Sequence, residues 1–364
     1  MSTSTRKSPA RVVVVEDSLV QRAKLVAVLE ADADIKVVGE ATTALEAIAL
    51  VASLRPDVVT LDLNIPDGGG QYALERIMAS TPTPILVLSS TVSDESSAPA
   101  VEALVGGALL AVPKPLQWTA EFESELRRSI RTIRSVPVIR HMRGRLRDLP
   151  TRPTHRTPPT ATQPPSNRRA HKAESCVVAI AASTGGPPAL AAVLEGLANL
   201  RAPVLIVQHI HPDFVKGLVD WMDRVSPLEV LMAVHGRTLR EGCVHIAPGG
   251  THLRLGRDWR IELVDGPASI HRPSADQLFE SVALNARERG IGVLLTGMGE
   301  DGAVGLAEMR RVGSLTIAQD QATSAVFGMP RAAQRLGAVD HQLPLDGIAA
   351  AILRGALSRA PVSS

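Results

Sequence analysis

The sequence has 364 residues, which is too long for one ordinary hydrophobic core and favours two domains. Two cysteines exclude a disulfide framework, and an aromatic content of 2% argues against base-stacking surfaces for single-stranded nucleic acid. The formal net charge is +2, but residues 140–172 carry +8, which leaves −6 for the remainder of the chain. No apolar run approaches the roughly 18 residues of a membrane span, and the first residues lack a signal-peptide pattern, so we expect a soluble cytoplasmic protein.

Residues 10–134 alternate short apolar runs with segments of helical periodicity. The runs RVVVV, IKVVG, DVVTL, PILVL and ALLAV predict five strands, and intervening stretches such as LVQRAKLVAVL predict helices. This βα alternation predicts a parallel sheet with helices on both faces, which is a doubly wound α/β domain.

Charged and hydroxyl side chains follow four of these predicted strands. Glu16 and Asp17 follow the first, Asp62 the third, Ser89 the fourth and Lys114 the fifth. The carboxyl ends of parallel strands meet at one edge of the sheet, so three carboxylates converge there and would repel without a hard cation such as Mg²⁺. One carboxylate could then attack a phosphoryl group whose charge the metal and Lys114 neutralise.

The segments VVVVEDS, DVVTLDLNIPDGGG, VLSST and VPKP resemble the receiver domains of two-component response regulators, with a flavodoxin-like fold. The resemblance covers residues 10–134 and implies phosphorylation of Asp62. It also implies a Mg²⁺ site formed by Glu16, Asp17 and Asp62, with supporting roles for Ser89 and Lys114. A chemotaxis histidine kinase is the implied phosphodonor.

Two positions depart from the common receiver pattern. Gly69 and Gly70 stand where an Asp-Gly pair is usual, and Ala111 occupies the aromatic position three residues before the conserved lysine. These departures leave phosphorylation intact as an expectation and bear on how the signal leaves the domain.

Residues 135–174 are rich in Pro, Thr and Arg and predict an extended linker, because such a composition cannot bury enough surface to fold. From residue 175 to 360 the alternation resumes. The runs CVVAIA, PVLIV, EVLMA, GVLLT and SLTIA predict strands, and HLRLGRDWRIELV predicts a hairpin. We therefore expect a second doubly wound, Rossmann-like α/β domain.

Ser183 and Thr184 follow a predicted strand directly and precede a glycine turn and a helix. An isolated serine there is usually a helix N-cap, and a glycine turn could equally hold a phosphate. However, another strand ends at His209 and a later one beside Asp301, so a nucleophile, a base and an orienting carboxylate would share one sheet edge. Two features differ from an ordinary α/β-hydrolase. The chain order is Ser, His, Asp instead of Ser, Asp, His, and Ala181 replaces the first glycine of the G-x-S-x-G motif.

A competing pattern lies in the same domain. Gly297, Gly299 and Gly302 form G-x-G-x-x-G between a strand and a helix, and Asp320 ends the next strand about twenty residues later. On this pattern alone the chain could be a nucleotide-dependent oxidoreductase, although Ser183 and His209 would have no role.

Residues 176–357 resemble the catalytic domain of chemotaxis protein-glutamate methylesterases, the CheB family. The matching segments are AIAASTGGP, VQHIHPDF, VHIAPGGTHL, HRPSADQLFESVA, LLTGMGEDGAVGL and AQDQATSAVFGMPRAA. The resemblance implies Ser183 as nucleophile, His209 as general base and then acid, and Asp301 as the residue that orients His209. It places Thr184 and Met298 beside the serine and the oxyanion.

The expected activity is therefore phosphorylation-regulated hydrolysis of glutamate γ-methyl esters on methyl-accepting chemoreceptors, with glutamine deamidation as an implied second reaction. No cofactor is expected for the ester hydrolysis, and the membrane is involved only through the receptors. A receiver-controlled DNA-binding regulator is disfavoured because the folded parts are acidic and show no helix-turn-helix pattern. The histidines His211, His235, His245 and His252 lack metal-site spacing, and Cys243 is expected in the core.

Overall fold

The computed structural model describes residues 8–89, 97–136, 138, 176–267, 269 and 271–359. The predicted linker over residues 135–174 lies outside this range except for residues 135, 136 and 138. Among the described helices, none combines the length and the apolar character needed to cross a membrane.

The N-terminal domain contains the predicted five-stranded parallel sheet, and its strand order is β2-β1-β3-β4-β5. Its elements are β1 (Ala10–Val15), α1 (Leu19–Glu30), β2 (Ile35–Ala41), α2 (Ala44–Leu54), β3 (Val58–Asp62), α3 (Gly69–Ser80), β4 (Ile85–Ser89), α4 (Ser97–Val105), β5 (Leu110–Pro113) and α5 (Ala120–Ile133). Alternate residues of β1 enter different apolar clusters: Val12 and Val14 face one helical layer, and Val13 and Val15 face the other. This two-sided burial explains why the strands are continuous apolar runs.

The C-terminal domain contains a seven-stranded parallel sheet in the order β14-β13-β12-β6-β7-β9-β8 and a separate antiparallel hairpin of β10 and β11. Its elements are β6 (Val177–Ala182), α6 (Gly186–Glu195), β7 (Val204–Gln208), α7 (Pro212–Val225), β8 (Glu229–Met232), β9 (Cys243–Ile246), β10 (His252–Leu255), β11 (Ile261–Val264), α8 (Ala275–Asn285), β12 (Gly290–Leu294), α9 (Ala303–Arg311), β13 (Leu315–Gln319), α10 (Met329–Arg335), β14 (His341–Leu343) and α11 (Leu345–Arg359). The predicted hairpin is confirmed. Strands β9 and β14, of four and three residues, were not predicted.

The chain reverses its direction across the larger sheet at β6. From β6 it proceeds through β7 towards one edge, and it later returns to β12 on the other side of β6. The carboxyl ends of β6 and β12 therefore flank a topological switch point, where ligands of open parallel sheets bind.

The two domains pack against each other through α4 and α7, with a smaller contact between α4 and α6. Ala100 and Val101 of α4 are fully buried and share an apolar cluster with Phe214 of α7. The helices come very close at Gly217, where a Cβ would lie only 2.5 Å from Ser97 Oγ. A side chain at position 217 would therefore force the two helices apart.

Candidate active site and phosphorylation site

The predicted phosphorylation site forms at the carboxyl edge of the N-terminal sheet. Carboxylate oxygens of Glu16, Asp17 and Asp62 lie within 4.8 Å of one another. Lys114 Nζ lies 2.6 Å from Asp62 Oδ2 and 2.7 Å from Glu16 Oε2. Ser89 is buried at the end of β4, and its carbonyl accepts a hydrogen bond from the Lys114 amide at 2.8 Å. The structure thus brings all five predicted residues to one edge.

Burial and charge set the protonation of this cluster. Desolvation raises the pKa of Glu16 above its ordinary value. The contact with Lys114 lowers this pKa only in part, and the nearby charge of Asp62 raises it further. Burial alone would lower the pKa of Lys114, but its contacts with Asp62 and Glu16 raise it above the ordinary value. A divalent cation among the three carboxylates would relieve their repulsion, so the residues fit the Mg²⁺ site that the sequence predicts.

Helix α3 closely approaches β3, the strand that ends at Asp62. The amide of Gly70 donates to Leu63 O at 2.9 Å, and a Cβ at position 70 would overlap with the carbonyl oxygen of Asp62. Gly69 has φ of +81°, in the region that favours glycine. Gly70 is therefore required by this close approach, and Gly69 suits the left-handed backbone just before it.

Ser183 sits on a tight turn between β6 and α6. Its amide donates to Thr296 O at 3.0 Å, which ties the turn to the end of β12, and its carbonyl accepts from the Gly186 amide at 2.8 Å. Gly185 has φ of +75°. Across the switch point, Gly297 lies so close that a Cβ there would be 2.8 Å from Ser183 Cβ. The serine is therefore held from both sides, with its side chain half-buried.

His209 and Asp301 come together from two loops beyond β7 and β12. His209 Nε2 lies 2.9 Å from Asp301 Oδ2, and both side chains are about nine-tenths buried. The angle at the ring nitrogen is too bent for a regular hydrogen bond, and within the described residues neither ring nitrogen bonds to the Ser183 hydroxyl. Catalytic hydrogen bonds are often incomplete without substrate, so this geometry is compatible with a triad.

Asp301 is anchored by the N-terminus of α8. Its carboxylate accepts hydrogen bonds from the Ala275 amide at 2.7 Å, the Asp276 amide at 3.0 Å and the Ser274 hydroxyl at 2.9 Å. Burial alone would raise the pKa of Asp301, but His209 and the two amides lower it below the ordinary value. A carboxylate that remains ionised can orient His209 and stabilise its protonated form.

Unpaired backbone N–H groups surround Ser183. Among the described residues, the amides of Thr184, Gly185 and Met298 donate no hydrogen bond. The first two lie at the start of α6 and the third in the loop after β12. Such donors can stabilise the oxyanion of a tetrahedral intermediate.

The G-x-G-x-x-G pattern has a different role from the one it suggests. The amide of Gly297 donates to Val326 O at 3.0 Å and is therefore not free for a phosphate. A Cβ at Gly297 would overlap with Met329 and crowd Ser183, and Asp301 points at His209. The oxidoreductase alternative is not supported, because the glycines allow this loop to pack on the turn that carries Ser183.

Three site residues were not predicted as such: Gln208, His271 and Ser274. Gln208 ends β7 beneath Ser183, and His271 stacks on His209. Ser274 is the N-cap of α8, a role that its position before ADQL could have indicated.

The four histidines that lack metal-site spacing and Cys243 occupy structural positions in the C-terminal domain. His211 caps α7, His235 accepts from the Leu263 amide, and His252 holds the Ser274 amide on Nδ1. His245 and Cys243 are buried in β9. In the described parts of both domains, the only cluster suited to a metal is the one around Asp62.

The N-terminal domain reaches both sides of this site. Ile210, which follows His209, packs against apolar clusters of both domains. Met298 and Val326 pack against the N-terminal cluster that contains Ile133 and Val136. The N-terminal domain therefore contacts the loops that carry the candidate base and the candidate oxyanion donors.

Known proteins resemble the whole chain and each half. The model of the CheB methylesterase family matches residues 178–352, and that of the response regulator receiver domain matches residues 12–123. A protein-glutamate methylesterase/protein-glutamine glutaminase 2 of Anaeromyxobacter dehalogenans (strain 2CP-C) is 44% identical over 356 residues, 97% of this chain and 98% of its own length. One from Hahella chejuensis (strain KCTC 2396), numbered 3, is 40% identical over 342 residues, 93% of this chain and 96% of its own.

Among solved structures, the CheB methylesterase catalytic domain of Thermotoga maritima is 34% identical to this chain, with a TM-score of 0.48. The match covers 50% of this chain and 98% of the Thermotoga chain. The near full-length match to curated relatives decides the assignment. The chain belongs to the CheB methylesterase family, with a response regulator receiver domain in front of the methylesterase domain.

Proposed function

We propose that this protein hydrolyses γ-methyl esters of glutamate side chains on methyl-accepting chemoreceptors, under the control of phosphorylation at Asp62. The observation that carries the proposal is the convergence of Ser183, His209 and Asp301 from the adjacent strands β6, β7 and β12, beside unpaired amides. Curated relatives named protein-glutamate methylesterase/protein-glutamine glutaminase support the substrate class.

The proposed chemistry is acyl transfer in two steps. Ser183 Oγ attacks the γ-carbonyl carbon while His209 accepts the hydroxyl proton, and the amides of Thr184, Gly185 and Met298 bind the oxyanion. His209 then returns the proton to the methoxy group, which leaves as methanol from an acyl-enzyme. Water, activated by His209, hydrolyses the acyl-enzyme and regenerates Ser183 with release of glutamate.

The same acyl-enzyme supports deamidation of receptor glutamines. A primary amide would react at the same carbonyl and release ammonia in place of methanol, and the relatives' names also include protein-glutamine glutaminase activity. Comparison of ammonia and methanol release from one receptor preparation tests this second reaction.

For the receiver domain we infer Mg²⁺ as the cation, held by Glu16, Asp17 and Asp62. A chemotaxis histidine kinase is the inferred phosphodonor. The metal would neutralise the phosphoryl oxygens, while Lys114 and Ser89 would pair with them. The domain bounds that we propose are residues 10–134, a linker over 135–174, and 175–360, with action in the cytoplasm on the cytoplasmic helices of receptors.

The packing of α4 on α7 supports restraint of the esterase by the unphosphorylated receiver. Ala111, in place of the usual aromatic residue, packs against apolar clusters of both domains, so β5 itself takes part in this contact. A phosphorylation-dependent shift of about 1 to 3 kcal/mol in this interface would change activity by roughly 5- to 150-fold.

Methanol release from methylated receptor membranes tests the main proposal. Ser183→Ala should lower turnover by several orders of magnitude and abolish covalent labelling by a fluorophosphonate, because only binding and oxyanion contributions remain. Unmethylated membranes are the substrate control. Methanol release near the wild-type rate from folded Ser183→Ala would show that Ser183 is not the nucleophile.

A further inference from the structure

Gln208 is a buried polar residue between the proposed nucleophile and base. It is the last residue of β7, and only 3% of its surface is exposed. Its neighbour in the sheet is Ala182, the residue directly before Ser183. The side chain therefore lies beneath the two loops that carry Ser183 and His209.

The carboxamide of Gln208 joins the backbones of these two residues. Nε2 donates to Ser183 O at 2.8 Å and to His209 O at 2.9 Å. Because both partners are carbonyl oxygens, the atom that faces them must be the NH₂ group, which fixes the orientation of the amide. One planar group thus sets the spacing between the nucleophile turn and the base loop.

The oxygen atom of the carboxamide, in contrast, is not hydrogen-bonded: in the described part of the chain, Gln208 Oε1 has no partner. It fills the space beside Gly186, where a Cβ would overlap with it. A buried acceptor without a partner lowers stability, so the fold keeps the two hydrogen bonds of Nε2 at the cost of an unsatisfied Oε1.

We propose that Gln208 is a positioning residue for the esterase reaction. Its two N–H groups hold Ser183 and His209 at the separation that proton transfer requires, and Gly186 is the glycine that makes room for it. The inference rests on the proposed triad. Small misplacements of reacting groups have large kinetic costs, so the loss of this bridge should act on the chemical step more than on receptor binding.

The test uses the full-length protein with methylated receptor membranes. Gln208→Leu keeps the approximate shape and removes both donors. We expect kcat to fall roughly 10- to 100-fold with KM changed less than about threefold, and labelling of Ser183 by a fluorophosphonate to slow in parallel. A kcat within twofold of wild type in the folded variant would overturn the proposal.

Asn285→Leu is the matched control. Asn285 ends α8, about 15 Å along the helix from the residues that anchor Asp301, and its Nδ2 donates to Leu255 O at 2.8 Å. This control removes a carboxamide-to-backbone bridge outside the site. An equal fall in kcat for Asn285→Leu would attribute the effect to general destabilisation and overturn a role in the site.

Gln208→Glu provides a second measurement, the pH dependence of kcat, which a purely structural role of Gln208 would not change. A neutral glutamic acid at position 208 can still donate one hydrogen bond. The ionised form has no hydrogen to donate to the carbonyl oxygens of Ser183 and His209. Burial raises the pKa of a carboxyl, so kcat should fall as pH rises through that range, in a limb that the wild type lacks. Should Gln208→Leu fail to fold, the absence of this limb in Gln208→Glu would overturn the proposal.

Ser183→Ala, assayed in parallel, distinguishes failure of the proposed triad from failure of the positioning role of Gln208. Activity in that variant would refute the triad itself. Inactive Ser183→Ala with fully active Gln208→Leu would refute only the positioning role.

Discussion

The imidazole of His271 is stacked on that of His209, with ring centroids 4.4 Å apart and ring planes 17° from parallel. His271 lies on the loop between β11 and α8 and covers one face of the proposed base. Burial lowers its pKa, and the neighbouring His209 lowers it further. Asp301 and Glu125 act in the opposite direction, and Arg128 acts in the same direction as His209. His271 is therefore expected to be neutral when His209 accepts a proton.

Replacement of His271 separates stacking from charge. His271→Ala should lower kcat by roughly three- to tenfold, whereas His271→Phe should retain most activity because an aromatic ring still supports His209. The pH profile of kcat/KM gives the second readout. At acidic pH, protonation of His271 would place a positive charge against the ring of His209, so the acid limb of the wild type should be steeper than that of His271→Phe. Equal slopes, or an Ala variant as active as Phe, would contradict the stacking role.

Asp301→Asn tests the anchored carboxylate. An asparagine can accept with only one of the two positions that now face Ser274, Ala275 and Asp276, and it favours the wrong tautomer of His209. We expect kcat to fall by about 10⁴-fold. Asp340→Asn is the control, because Asp340 accepts from the Thr316 amide and hydroxyl away from the site and should affect stability alone. A milder loss in Asp301→Asn than in Asp340→Asn would contradict the assignment.

His245 should make stability depend on pH. It is fully buried, neither ring nitrogen has a partner among the described residues, and desolvation lowers its pKa to about 4. Between pH 6.5 and 4 the unfolded chain binds a proton that the folded chain does not, so the free energy of unfolding should fall as pH falls, by at most roughly 3 kcal/mol.

His245→Leu should remove this pH dependence and be neutral or stabilising at pH 7.5, since no hydrogen bond is lost. Urea midpoints at pH 7.5 and 5.0 measure the effect, with His341→Leu on the exposed edge strand β14 as control. Unchanged pH dependence in His245→Leu would show that His245 is not its source.

Gly217→Leu tests restraint by the receiver. The new side chain would collide with Ser97 and weaken the packing of α4 on α7, so methanol release by the unphosphorylated protein should rise toward the phosphorylated rate. Asp220→Leu, on the exposed side of α7, should leave the rate unchanged.

A small soluble ester distinguishes two forms of this restraint. Pure occlusion would spare small substrates, whereas misalignment through Ile210 and Met298 would slow them also. If Gly217→Leu leaves both rates at the wild-type unphosphorylated level, the α4–α7 contact does not restrain the enzyme.

Asp62→Asn should abolish uptake of phosphate from a small phosphodonor, and chelation of Mg²⁺ should abolish it in the wild type. Lys114→Ala should retain part of the uptake but weaken its effect on esterase activity, because Lys114 pairs with Asp62 and Glu16 at 2.6 and 2.7 Å. Normal stoichiometry in Asp62→Asn would place the phosphoacceptor elsewhere.

The sequence by itself predicted two parallel-sheet domains and the residues at their carboxyl edges. Apolar strand runs alternate with helical periodicity, and polar residues such as Asp62, Ser183 and His209 interrupt that pattern where strands end. These signals are local in the chain. They identified the predicted triad but could not show that Gly297 packs on Ser183, a contact that made the dinucleotide pattern misleading.

Only the tertiary structure shows which residues hold the candidate catalytic side chains in place. Ser274, His271 and Gln208 reach Asp301, His209 and Ser183 across 27, 62 and 25 residues of chain. The short strands β9 and β14 form only because neighbouring strands offer them hydrogen bonds. The domain contact at Gly217 and Ser97 likewise depends on two helices that lie far apart in the chain. Periodicity carries no information about such pairings, since they depend on which surfaces meet after each sheet has formed.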